Sequence, residues 1–77
     1  MKIKVLGTGC PKCKALEKAT REAVAETGIE AEVTKVEDIV DIMNHGVMTT
    51  PALIVDGKVV SKGRLLTVAE IKSLITK

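Results

Sequence analysis

Apolar and polar residues alternate along Lys2-Ile3-Lys4-Val5-Leu6, a period of two that predicts a short strand closed by Gly7-Thr8-Gly9. From Lys12 to Thr27 the period lengthens to that of a helix. Cys13, Leu16, Thr20, Ala23, Val24 and Thr27 fall on one face, and Lys14, Glu17, Lys18, Arg21, Glu22 and Glu26 on the other. Pro11 sits at the helix's first turn, where a missing N–H removes no hydrogen bond. Gly28 is a helix stop. Alternation resumes from Ile29 to Val36 and predicts a second strand. Glu37 to His45 reads as a second helix, acidic at its start, followed by Gly46, with Ile39, Ile42 and Met43 as its inner face.

Pro51-Ala52-Leu53-Ile54-Val55 and Lys58-Val59-Val60 flank Asp56-Gly57, the two-residue turn that hairpins prefer, and Gly63 ends the last strand. Thr67 with Glu70 three residues on forms a capping box, which opens a final helix through Ile75. The expected order is β-α-β-α-β-β-α. A helix joins the first two strands, so they should be parallel; the last two should be antiparallel.

Composition narrows what such a fold can do. With 77 residues the chain is expected to be one small domain, residues 1–77, that buries only about 60–65% of its unfolded surface. It contains no Phe, Tyr or Trp, so its core must be built from Ile, Val, Leu, Ala and Met, and no nucleobase can stack on an aromatic ring. Lys and Glu are interleaved, and the net charge is only +2, which leaves no basic block for nucleic acid. The longest apolar run, Ala52 to Val55, is far short of a membrane span, and Met1-Lys2-Ile3 leads straight into a strand-like segment, so no signal peptide is expected. Two closely spaced cysteines are not a framework of long-loop disulfides, so a cytoplasmic setting is expected.

Those two cysteines, in Cys10-Pro11-Lys12-Cys13, are the candidate chemistry. Cys10 precedes a helix start, where unpaired N–H groups and about half a positive charge favour thiolate over thiol. Lys12 and Lys14 add positive potential, and such surroundings lower a cysteine pKa from about 8.5 toward roughly 3.5–7.5. Cys13 lies one turn further in, on the apolar face. The asymmetry suits a relay in which Cys10 attacks a disulfide and Cys13 resolves the mixed disulfide, with Pro11 stiffening the turn. The same thiolate pair suits Cu(I) or Zn, so the spacing alone leaves redox and metal readings open. A structural zinc site would need four ligands, and two Cys plus His45 supply three.

Over essentially its whole length the chain resembles the thioredoxin superfamily, most closely the small glutaredoxin-like "redox-active disulfide protein" group of archaea and bacteria. The resemblance rests on Gly9-Cys10-Pro11-Lys12-Cys13 after the first strand, Gly46-Val47-Met48-Thr49-Thr50-Pro51-Ala52-Leu53 before the third, and Asp56-Gly57-Lys58 in the hairpin. It implies a four-stranded mixed sheet with helices on both faces and reversible dithiol–disulfide exchange. It also implies a cis peptide bond before Pro51, and Thr50 and Pro51 as substrate contacts. Protein disulfides would be the substrates and a thioredoxin-reductase-like protein the electron donor; the chain would act as a monomer, with no bound cofactor and no metal.

Three departures stand out. Gly9 replaces a Trp common in thioredoxins, and Lys4 replaces a buried acid six residues before the first cysteine. Lys62-Gly63-Arg64-Leu65 lacks the acids with which glutaredoxins hold glutathione. The alternative, a soft-metal module, typically has Met where Thr8 stands and ends on a strand, whereas this chain ends on a helix. His45 is expected to complement a helix end. Met43 and Met48 are expected to pack in core and loop.

Overall fold

The computed structural model describes residues 1–9 and 11–76. Along the chain run β1 (Lys2–Leu6), α1 (Pro11–Thr27), β2 (Glu32–Val36), α2 (Ile39–Asn44), β3 (Ala52–Val55), β4 (Lys58–Lys62) and α3 (Val68–Ile75). The strands form one mixed sheet in the order β2-β1-β3-β4. β1 and β2 are parallel, and β3 is antiparallel to both β1 and β4.

Strand alternation divides the core between the two faces of this sheet. Ile3, Val5, Leu53 and Val55 pack with Leu16 and Ala23 of α1 and with Leu66, Ile71 and Ile75 at α3. The opposite face carries Leu6, Ala52 and Ile54, which pack with Ile42 of α2 and with Val47. Helices therefore cover both faces, α1 and α3 one side and α2 the other. On α1 the expected inner face holds: Cys13, Leu16, Thr20 and Ala23 are buried. Thr20 satisfies its buried hydroxyl by donating to the Leu16 carbonyl at 2.7 Å.

Two elements are shorter than their patterns suggest. β2 begins at Glu32 rather than Ile29, because Glu32 pairs with Lys2, the first residue of β1, and an edge strand cannot extend past its neighbour's end. Ile29 and Ala31 still pack against the core, but the backbone before Glu32 meets the chain terminus, where the Met1 ammonium group donates to the Glu30 carbonyl at 3.4 Å. α2 spans Ile39–Asn44 rather than Glu37–His45, since Asp38 turns its carboxylate back onto the Val40 and Asp41 N–H groups as N-cap. Only Ile42 of its expected inner face is buried. A helix of this length has room to turn one such residue onto the sheet, and Ile39 and Met43 stay in solvent.

The hairpin turn behaves as its residues require. Asp56 and Gly57 both take positive φ, 49° and 83°, the pair of conformations a type I′ turn needs. β4 then runs two residues past Val60, because a bulge pairs Leu53 with Ser61 but Ile54 with Val59 and so carries Val60 as an extra residue.

α3 opens on the expected capping box. The Thr67 hydroxyl accepts from the Glu70 N–H at 3.2 Å, and Glu70 Oε1 accepts from the Thr67 N–H at 3.1 Å. The Glu70 carboxyl titrates below its ordinary value, chiefly through the bond from the Thr67 N–H, then the Thr67 hydroxyl interaction, with Arg64 assisting. A lowered folded-state pKa stabilises above the unfolded value and loses that contribution as pH falls through the folded one. Glu70→Gln should therefore flatten the acid limb of the stability–pH curve without changing stability much at lower pH. Thr67→Ala should cost about 1 kcal/mol in urea unfolding at neutral pH.

Candidate active site

The strand registers bring distant segments to one end of the sheet. Leu6 pairs with Ala52, and Ala52 with Lys62, so the end of β1, the start of β3 and the end of β4 lie side by side. The loop 7–9 that leads into α1, the Thr50–Pro51 segment and Gly63 follow directly from those three ends.

Cys13 is held in the first turn of α1, where it is only 1% exposed and disulfide-bonded. Its side chain packs onto Gly7 so closely that a Cβ built there would overlap the Cys13 sulfur and come within 2.7 Å of its Cβ. The Gly7 N–H donates to the Val36 carbonyl at 2.9 Å, which keeps that residue in line with β2. Gly7 is thus a floor for the sulfur as well as a strand stop. Sequence reasoning found only the stop; the available signal was a glycine a few residues before the cysteine pair. Cys10 lies outside the described residues.

Around the helix start, Pro11 and Lys12 are exposed. The first turn of α1 carries no acid, so no carboxylate of its own offsets the positive end of the helix. Gly9 adopts φ +89°, a conformation L side chains rarely adopt, so any side chain here, Trp included, would be strained. A Cβ there would lie 3.5 Å from Glu37 Oε2, which places a carboxylate beside this loop.

The Thr50–Pro51 peptide bond is cis, with Pro51 buried and Thr50 exposed. The Pro51 carbonyl accepts from the Gly63 N–H at 2.8 Å. A side chain at Gly63 would meet the Thr49 methyl at 2.7 Å, so glycine there lets the chain after β4 close onto this segment. Thr50 also lines an apolar groove of about 230 Å³ with Ile39, Ile42, Met43, Val47 and Met48. Met48 is 92% exposed and Met43 60% exposed, contrary to the packing expected of both. The short α2 and the turn after it leave both outside the core.

Lys4 and His45 form a structural clasp. His45 caps α2, and its Nδ1–H donates to the Asp41 carbonyl at 2.6 Å. That leaves the Nε2 lone pair to accept from the Lys4 ammonium at 3.3 Å. Lys4 alternates with Ile3 and Val5 and so lies on the α2 face, away from α1.

Among the described residues no helix is long and apolar enough to cross a membrane. No three His, Cys, Asp or Glu side chains among them converge as a metal-binding group.

Comparison with known proteins agrees with this arrangement. A family model described as a thioredoxin domain matches residues 1–76. A protein named thioredoxin from Methanothermobacter thermautotrophicus is 43% identical over 76 residues, covering 99% of either chain. Another, from Methanocaldococcus jannaschii, is 41% identical over 70 residues, 91% of this chain and 80% of that one. The chain belongs to the thioredoxin family, and its role is of the thiol–disulfide oxidoreductase kind.

Proposed function

We propose that this thioredoxin-family protein reduces and re-forms protein disulfides through Cys10 and Cys13. The observation that carries the reading is the placement of Cys13: buried at the start of α1, packed on Gly7, at the sheet end where Thr50 and Pro51 enter β3. The Cys10 thiolate attacks one sulfur of a substrate disulfide, forming a Cys10–substrate disulfide and releasing the first substrate thiolate. The Cys13 sulfur, deprotonated, then attacks Cys10 Sγ, forms the Cys10–Cys13 disulfide and releases the second. Two electrons pass to the substrate, and the protons of the two cysteine thiols end on the two substrate thiols.

The chemistry resides in the two sulfurs and needs no bound cofactor or metal. A separate thioredoxin-reductase-like donor returns the electrons, in the reducing cytoplasm, to a monomeric protein. Lys12 and the acid-free start of α1 favour the attacking thiolate, and Pro11 limits the separation of the two sulfurs. Thr50 offers its backbone to the substrate chain beside Pro51.

The test is to measure thiolate formation at Cys10 by alkylation against pH, together with reduction of insulin. Activation of the thiol and turnover with a reducing partner are expected. A thiol that alkylates like free cysteine and reduces no protein disulfide would overturn the reading. Titration of the reduced protein with Cu(I) against a chelator tests the soft-metal alternative, and no retention is expected.

The groove beside Thr50 fits the same substrate class, since exposed methionines and aliphatics suit varied apolar segments flanking a client cysteine. Met43→Glu should raise KM for a protein disulfide several-fold while leaving the rate with a small aromatic disulfide unchanged. Met43 is exposed on α2, so thermal stability should hold.

A further inference from the structure

The charge beside Gly9 has no part in the relay as described, and it does not come from α1. Glu37 follows β2 directly, and its two carboxylate oxygens face different ways. Oε1 pairs with Lys35 Nζ at 3.6 Å. Oε2 lies 3.5 Å from where a Gly9 Cβ would stand, against the residue that precedes Cys10 in the chain. Lys35 also reaches Glu17 Oε1 on α1 at 3.7 Å, and Glu17 is shared in turn with Arg21, whose nearest contact is 3.0 Å. A short chain of alternating charges therefore runs from α1 across β2 to the loop of the attacking cysteine. The parallel pairing of β1 with β2 brings it there, since Leu6 lies beside Val36.

We propose that Glu37, held by Lys35, is a positioning residue that sets the thiolate stability of Cys10 from outside the cysteine motif. The proposal rests on the dithiol reading above. A carboxylate near a thiolate disfavours the charged sulfur, the opposite of what the helix start and Lys12 do. The balance between them fixes how readily Cys10 ionises and how strongly the reduced form is favoured. Lys35 moderates the carboxylate, and so lies on the other side of the balance.

The charged groups around this point are few. Lys12 and Lys14 lie on the first turn of α1, Glu17 is paired with both Arg21 and Lys35, and Asp38 is turned away onto the Val40 and Asp41 N–H groups. No bulky group at position 9 stands between the carboxylate and the loop. Glu37 is 57% exposed, so solvent screens it and the effect is a tuning one.

The experiment is the alkylation rate of the reduced full chain with iodoacetamide across pH 5–9 at low salt, repeated at 0.5 M salt. Glu37→Gln should move the midpoint to lower pH and raise the rate on the acid side roughly two- to fivefold. Lys35→Gln should move it to higher pH, Glu37→Asp should stay near wild type, and high salt should shrink both shifts. Thermal melts of each variant check the fold, and a purely structural role would give no salt-dependent midpoint shift. Equal midpoints for wild type, Glu37→Gln and Lys35→Gln, all folded, overturn the proposal. The wild-type midpoint itself tests the dithiol reading, while the differences between variants test Glu37, so the two fail separately.

Discussion

Cys13→Ser is expected to convert turnover into capture. Serine matches cysteine in shape but does not ionise near neutral pH, so Cys10 still attacks a substrate disulfide while nothing resolves the product. The mixed disulfide should accumulate, appear as a covalent adduct on non-reducing gels with the mass of protein plus substrate half, and dissolve on adding dithiothreitol. Steady-state reduction should fall by about 10³-fold or more, because the two cysteines act as one unit. Cys10→Ser should lose turnover to the same extent and give no adduct. The site bears on stability too: Cys13 is 1% exposed, so a buried hydroxyl in place of sulfur should cost about 1–3 kcal/mol. Normal turnover by folded Cys13→Ser would sink the relay and leave Cys13 as a core residue beside a single working thiol.

What the sequence disclosed, and what it did not, follows from the range of each interaction. The face of α1 was legible because helical periodicity is local, and Cys13, Leu16, Thr20 and Ala23 are buried as their spacing implies. The Asp56-Gly57 turn and the Thr67–Glu70 box were legible for the same reason: their hydrogen bonds close within a few residues. Ile29 to Ala31 alternated as well as any strand, but pairing depends on where β1 begins, which lies in another part of the chain. Ile39 and Met43 carried a helical spacing that α2, at six residues, leaves exposed. Met48 sits in the loop between α2 and β3, where no local pattern encodes exposure.

Within the candidate site the same rule applies. The candidates Cys10, Cys13, Thr50 and Pro51 rest on a motif and a resemblance, whereas Glu37 reaches the Gly9 loop only because β1 and β2 pair in parallel. Gly7 was half legible. A glycine that ends a strand and a glycine that makes room for a sulfur are written with the same residue.

That second role makes Gly7→Ala the sharpest test of how the site is built. An added Cβ would overlap Cys13 Sγ and sit 2.7 Å from Cys13 Cβ, so a neighbour must move. Cys13 cannot retreat alone, because Leu16 and Thr20 on the same face of α1 are fully buried against the sheet. Gly7 cannot swing outward without losing its bond to the Val36 carbonyl. Its φ does not lie in the left-handed region, so the clash is one of space rather than of backbone. Overpacking of this kind costs about 1–3 kcal/mol, against a gain of about 0.4–1 kcal/mol from a less flexible unfolded chain, and the net should be destabilising. Urea unfolding of the reduced protein should show it, and disulfide reduction should slow as Cys13 is displaced. In a Cys13→Ala background the sulfur overlap disappears while the Cβ contact remains. The cost of Gly7→Ala should then shrink, with a coupling energy of about 1 kcal/mol between the positions. If Gly7→Ala costs the same with and without the sulfur, Gly7 is only a strand end, and the packing of Cys13 onto it does not shape the site.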